Sequence, residues 1–297
     1  MRKYILTVTL NPALDSMIYH GGREIMSAGG KGLNVSRTLH GLNVPTIATG
    51  ILGGTAGDQV WRLLKKEKIK NDFIFITGET RTNVTRSAKR RVMGIGPKVN
   101  GAVLEAFEKK FKKLLRNCHV VTLCGRNAEG APADYYAHLI RLAKKDNVQT
   151  VLDSSGEPFL EGLKAKPYLI KPNVRESQES LGMIVRSRRD VKKALMAFRK
   201  KGIPIVLLSL AERGAAGIFK EEWWYCRVPK VTIKNNVGCG DAFLGGFLGA
   251  VQEKIPFAQA LAWASAAGTA SCQSRIPGEV DLGRIEAILG KVRLKKL

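Results

Sequence analysis

The feature that most constrains this 297-residue chain is a rhythm of short, continuous apolar runs separated by longer amphipathic stretches. An uninterrupted apolar run reads as a strand covered on both faces, and an amphipathic stretch as a helix packed along one side. Strands are predicted at 4–10, 46–51, 120–124, 150–153, 168–171, 205–209 and 216–219. Helices are predicted at 32–41, 58–66, 103–115, 132–145, 175–181, 191–201, 241–251 and 257–272. Strands joined by helical crossovers make an α/β fold, with a mostly parallel central sheet sandwiched by helices. Two stretches, 16–28 and 83–97, are polar, basic and not helical, and are expected to form a small β appendage over one end of the sheet. The sequence contains no linker, repeat or low-complexity segment, so residues 1–297 are expected to form a single domain with that appendage.

Composition narrows the function. The apolar fraction of 44% and charged fraction of 25% are those of an ordinary globular protein. The uncharged run 255–274 is interrupted by Gln, Ser and Thr, so no membrane partner is expected. The opening Tyr4-Ile5-Leu6-Thr7-Val8 runs straight into a strand and leaves no room for a signal-peptide core, which implies a cytoplasmic protein. Five scattered cysteines without C-x-x-C spacing predict neither a disulfide framework nor a structural zinc site, and most are expected to be reduced core thiols. The net charge of +24 favours anionic ligands. Its basic clusters lie where solvated helix faces are expected, without interleaved aromatics, so nucleic acid is not an expected partner.

Four segments could carry chemistry. The first is Gly238-Cys239-Gly240-Asp241, a small-residue turn opening an apolar helix. Its free amides could hold a phosphoryl group while Asp241 takes a proton from a hydroxyl; a simple N-cap on a tightly packed helix is the alternative. The second, Gly29-Gly30-Lys31-Gly32-Leu33-Asn34, lets backbone approach a ligand closely, or is a flexible connector. It is not a Walker A loop, because Lys31 is followed by glycine. The third, Asn173-Val174-Arg175-Glu176, could place an amide and a carboxylate beside magnesium, or form a capping box. The fourth is Asp15, either at the ligand-binding end of the first strand or in an Asx-turn.

Together these residues resemble the ribokinase-like (PfkB) carbohydrate kinases, in the branch of 1-phosphofructokinases and tagatose-6-phosphate kinases. The resemblance runs nearly end to end. It rests on 7–15, 29–37, 80–84, 153–156, 167–173, Ser209-Leu210 with Gly214-Ala215, and 237–241. It implies Asp241 as catalytic base and the amides of Gly238, Cys239 and Gly240 as an anion hole. It implies that Asp15, Gly29, Gly30, Lys31 and Asn34 hold the sugar and that Arg81 reaches its phosphate. Asn173, Glu176, Ser209, Glu212 and Gly214 would face the nucleotide, with Glu176 acting on Mg2+ through water. The implied reaction is transfer of phosphate from ATP to a ketohexose phosphate. Fructose 1-phosphate is the first choice, ahead of tagatose 6-phosphate and fructose 6-phosphate, with a homodimer through the β lid.

The sequence departs from the family pattern in four places. The lid stretches look short. Arg126-Asn127-Ala128 stands where Ser-Leu-Pro is usual, removing a hydroxyl and adding a charge. Ala211 replaces a glycine of the nucleotide loop, and Cys239 replaces an alanine of the anion hole. Arg81, Arg126 and Lys89-Arg90-Arg91 are the candidates for meeting the sugar's phosphate. The short lid and Arg126 leave room for a different reading, a sugar-phosphate-binding protein that has lost catalysis.

Overall fold

The computed structural model describes residues 4–87 and 90–297, so Lys89 of the basic candidates lies outside the described residues. The first third of the chain runs β1 (Tyr4–Thr9), β2 (Ala13–Ile18), β3 (Glu24–Gly29), α1 (Lys31–Gly41), β4 (Thr46–Gly53), α2 (Gly54–Lys66), β5 (Ile74–Ile76), β6 (Arg81–Ser87) and β7 (Arg90–Val92). Next come α3 (Gly101–Leu115), β8 (Cys118–Cys124), α4 (Tyr135–Lys145), β9 (Gln149–Asp153), α5 (Glu157–Lys164), β10 (Leu169–Ile170), α6 (Val174–Leu181), α7 (Arg188–Lys200) and β11 (Ile205–Ser209). The chain closes with β12 (Ala215–Phe219), β13 (Glu222–Arg227), α8 (Cys239–Gln252), α9 (Phe257–Ser271), α10 (Leu282–Leu289) and β14 (Arg293–Lys296).

Ten strands form one sheet in the order β14-β13-β12-β11-β10-β9-β8-β1-β4-β5. The pairs from β5 through β11 are all parallel, and β12, β13 and β14 add on antiparallel. Helices cover both faces, so the side chains of the inner strands are buried whichever way they point. In β1, Leu6 and Val8 join the core built with Phe107, Tyr136, Phe159 and Phe198, while Ile5 joins Leu39, Leu244 and Phe247 on the opposite face. That two-sided burial is the reason the strands read as continuous apolar runs.

A second sheet of four strands, β3-β2-β6-β7, holds residues of both 16–28 and 83–97. Five elements were absent from the sequence reading. Helix α5 is short and starts from Gly156 at φ +64. The others are the three-residue β5, the α10 helix capped by Asp281, and the edge strands β13 and β14. Strand β10 is limited to Leu169–Ile170, because the chain leaves the sheet at Lys171-Pro172. Among the described residues no helix is long and apolar enough to cross a membrane.

Helix α8 sits against α1 and α9 with almost no side-chain spacer. A Cβ built on Gly245 would lie 2.7 Å from Thr38 Cβ, and one on Gly246 would lie 2.6 Å from Ala267 Cβ. The glycines set how close the helix that begins at the Asp241 turn comes to its neighbours. Gly246→Val should therefore destabilise the protein by about 1–3 kcal/mol through overpacking. A urea midpoint equal to that of the parent would contradict this close approach.

Candidate active site

Parallel strands put their carboxyl ends on one edge of the sheet, where α/β proteins bind ligands. Along that edge stand Asp153 at the end of β9, Lys171 just after β10, Ser209 at the end of β11 and the Asn11-Pro12 turn after β1. Lys31, the first residue of α1, reaches into the same place.

The charges there form one cluster. The Lys31 ammonium donates to Asp153 Oδ1 at 2.9 Å and to Glu176 Oε1 at 3.3 Å. Lys171 Nζ approaches Asp153 Oδ2 at 3.3 Å from the other side. Burial alone would raise the Asp153 carboxyl, but Lys171 and Lys31 outweigh it and hold the group below the usual carboxylate range. Burial likewise pulls Lys31 down. Asp153, Glu176 and Asp241 reverse that effect and keep the ammonium charged.

Asp241 is the third residue of α8 and is buried. Gly238 precedes the helix at φ +82, and a Cβ there would lie 2.7 Å from Gly278 N and 2.8 Å from Pro277 Cβ, so only glycine fits. The helical ladder begins with Ala242 N donating to Gly238 O at 2.8 Å, which leaves the leading amides of the turn without helical acceptors. Asn34 Nδ2 donates to Asp241 Oδ2 at 2.7 Å. The orientation of that amide is itself fixed, because Asn34 Oδ1 accepts from Arg37 Nη1 at 3.1 Å. Arg37 is held in turn by Pro277 O, Ala28 O and Glu67. Burial, followed by the negative charge of Asp153, pushes the Asp241 carboxyl up to about 6; Lys31, Asn34 and Lys171 limit the rise. A buried carboxylate poised near neutrality beside free amides is equipped to accept a proton.

The turn into α1 meets Asp15. A Cβ on Gly29 would lie 2.3 Å from the Asp15 carboxyl carbon, so any side chain there would displace that carboxyl. Gly30 adopts φ +119 against Thr9 and Pro12. Asp15 is buried on β2 and accepts from Asn83 Nδ2 at 2.7 Å. Burial raises its carboxyl, while Asn83 and the guanidiniums of Arg91, Arg81 and Arg37 oppose the rise. Arg81 opens β6 and donates to Asn11 O at 3.0 Å. Burial lowers its pKa first, and the charges of Arg91 and Arg126 push the same way. Arg81, Arg91 and Arg126 thus share one local field, with Arg126 exposed.

Asn173 and Glu176 form a capping box on α6. Glu176 N donates to Asn173 Oδ1 at 2.8 Å, and Asn173 N donates to Glu176 Oε2 at 2.9 Å. The other oxygen of Glu176 faces Lys31, so both are already engaged. Asn173 bridges to Ser209 across neighbouring strands, and Glu212 is exposed in the following 3-10 turn. Gly214 has φ +96, and a Cβ there would lie 2.0 Å from Cys226 O. Ala211 takes φ +54, a left-handed conformation that explains why glycine suits this position.

The cysteines divide into two groups. Cys118, Cys124 and Cys226 are buried, as most of the cysteines were expected to be, whereas Cys239 and Cys272 are joined by a disulfide across the α8 and α9 ends. Sequence spacing gives no sign of it, because the partners are 33 residues apart and meet only through helix packing. Sequence reasoning also missed Asp153, Lys171 and Arg37 as members of the site. Asp153 and Lys171 read as ordinary strand ends until the parallel sheet aligns them.

Comparison with known proteins identifies the family. Residues 6–280 match the pfkB family carbohydrate kinase model. The 1-phosphofructokinase of Bacillus subtilis is 30% identical over 305 residues, covering 99% of this chain and 100% of the relative. A Staphylococcus aureus structure assigned provisionally as a phosphofructokinase has a TM-score of 0.85 at 28% identity, over 99% of each chain. Escherichia coli phosphofructokinase-2 in complex with fructose-6-phosphate shares the fold, with a TM-score of 0.87 at 23% identity over 97% of this chain and 99% of that one. The chain therefore belongs to the pfkB family of carbohydrate kinases, as a sugar-phosphate kinase of the phosphofructokinase type that transfers phosphate to a hydroxyl group.

Proposed function

We propose that this protein uses ATP to phosphorylate fructose 1-phosphate, giving fructose 1,6-bisphosphate, with Asp241 as the base. The observation that carries the reading is the buried Asp241 carboxyl at the opening turn of α8, oriented by Asn34 and set beside Lys31 and Lys171. The Bacillus subtilis 1-phosphofructokinase supports the choice of acceptor. Tagatose 6-phosphate and fructose 6-phosphate are the competitors.

In this mechanism Asp15, Gly29, Gly30 and Asn34 hold the sugar, and Arg81, joined by Arg126, meets its phosphate with a guanidinium fork. Ser209, Glu212 and Gly214 line the nucleotide. Asp241 accepts the proton of the acceptor hydroxyl as its oxygen bonds to the γ-phosphorus and ADP leaves. The amides of Gly238, Cys239 and Gly240, with Lys31 and Lys171, stabilise the negative charge on the moving group. Magnesium fits only indirectly: both oxygens of Glu176 have protein partners, and among the described residues no group of three acidic, Cys or His side chains could hold a metal. Arriving with the nucleotide, it would neutralise phosphate charge while Asn173 and Glu176 order its water shell. The four-stranded sheet acts as the lid. Its exposed Met26 and Val92, with Met93 and Ile95 just beyond β7, suit it to a homodimer interface. ATP and sugar phosphates as substrates fit a cytoplasmic enzyme.

Asp241→Asn should lower kcat by about three orders of magnitude or more while nucleotide binding persists. Near-parental turnover would remove Asp241 from the role. The folded protein holds the Asp241 proton more tightly than the unfolded chain does. Stability is therefore lost as pH rises from about 4 through about 6. The neutral Asn should accordingly melt at a higher temperature than the parent at pH 7, as calorimetry would show.

The base must be ionised, so kcat/KM, which reports the free enzyme, should fall below about pH 6. Lys31 favours the ionised form, and Lys31→Met should shift that acid limb to higher pH as well as reduce turnover. An unmoved limb in the pH–rate profile would contradict the coupling. ADP release measured against fructose 1-phosphate, tagatose 6-phosphate and fructose 6-phosphate should give the highest kcat/KM for the first. A preference for either 6-phosphate would overturn the assignment of the acceptor.

A further inference from the structure

Phosphoryl transfer gives no reason for a covalent bond at the Asp241 turn, yet Cys239 is bonded to Cys272 there. The two α-carbons are 5.6 Å apart, inside the span that disulfides bridge. Their surroundings differ from those of the other cysteines. Cys118, Cys124 and Cys226 are buried, and burial pushes the Cys226 thiol up to about 11, a setting that keeps a thiol inert. Cys239 and Cys272 are half-buried, within reach of a small reagent. Cys239 is also the first residue of α8, where helix amides and the dipole stabilise a thiolate.

The bond joins elements that already crowd one another. The Cys272 carbonyl accepts from Lys234 N at 2.9 Å and Asn235 N at 3.2 Å, and Asn235 Oδ1 accepts from Val237 N at 2.9 Å. A Cβ on Gly268 of α9 would lie 2.9 Å from Cys239 O. The chain entering the Gly238–Asp241 turn is thus anchored to the end of α9 by backbone bonds, and the sulfurs add a tie at the residue inside the turn. With the sulfurs separate, backbone bonds alone position the Cys239 amide that the moving phosphoryl group would meet. With them bonded, Cys239 is held to α9.

We propose that Cys239 and Cys272 form a reversible thiol–disulfide modification site that gates phosphoryl transfer, active as the dithiol and slowed as the disulfide. The inference rests on reading Gly238–Asp241 as the phosphoryl-binding turn. The co-reactant class is a small disulfide such as oxidised glutathione. The Cys239 thiolate attacks one glutathione sulfur, the S–S bond breaks, and the first glutathione thiolate leaves. The Cys272 thiolate then attacks Cys239 Sγ and expels the second. Two electrons pass from the protein to glutathione, and the two thiol protons end on the two released glutathiones.

The test poises the full-length enzyme in glutathione buffers of increasing oxidation, then reads intact mass and steady-state kinetics on the same samples. The crosslinked chain is two hydrogens lighter than the dithiol. The expected result is that kcat falls about tenfold in step with the crosslinked fraction, with the sugar KM little changed, and recovers on reduction. Reduced Cys272→Ser should match the parental kcat, and oxidation should not produce the lighter species from it. A fully crosslinked enzyme that keeps its kcat would overturn the gate, as would a chain that never loses the two hydrogens. Because mass reports the bond separately from turnover, either failure is distinguishable from failure of the kinase reading, which the kcat of the reduced enzyme reports.

Discussion

The site depends on one arrangement of charge: the Asp153 carboxylate, fully buried, held between the ammonium groups of Lys31 and Lys171. An isolated buried carboxylate would take up a proton, and an isolated buried ammonium would lose one. Each is stable here only because the other is present. Among the described residues Asp241 is the member of the cluster without a salt-bridge partner of its own: it has a hydrogen bond from Asn34 and feels Asp153 as a nearby like charge. The same cluster that keeps Asp153 ionised therefore leaves Asp241 close to the pH at which a base works. Removing either lysine would disturb more than one contact, since a buried ion that loses its partner costs several kcal/mol.

The fold supplies the geometry. Parallel pairing brings the ends of β9, β10 and β11 to one edge, so residues from 153 to 209 in sequence become neighbours. The glycine faces of α8 then bring the Asp241 turn down onto α1, close enough for Asn34 to reach it. Packing and chemistry meet at α1, whose Arg37 joins Asn34 to the α2 end at Glu67 and to the Pro277 carbonyl. This chain of bonds ties the orientation of the base to three separate segments.

Much of this was legible in the sequence, for identifiable reasons. Two-sided burial writes strands as unbroken apolar runs, so the buried strands, antiparallel β12 among them, were visible, while the short β5 and the exposed β13 and β14, the last reading Arg-Leu-Lys-Lys, were not. Gly238, Gly29 and Gly30 could be read as sites of close approach, because glycine's lack of a side chain is itself the signal. Asp153 and Lys171 could not, since their meaning comes from neighbours brought by sheet register. The capping box at Asn173 and Glu176 was one of two readings open from the sequence. The structure contains it and also turns Glu176 toward Lys31. The Cys239–Cys272 bond had no sequence signature at all, because helix packing alone brings the two residues together.

The central claim is that burial beside Asp153 holds the Asp241 carboxyl well above an ordinary aspartate. Its most direct test follows the carboxyl carbon of Asp241 by NMR through a pH titration of the ligand-free enzyme, with Asp241→Asn identifying the resonance. The account expects a midpoint near 6. A midpoint at about 4, the value of a solvent-exposed aspartate, would contradict it.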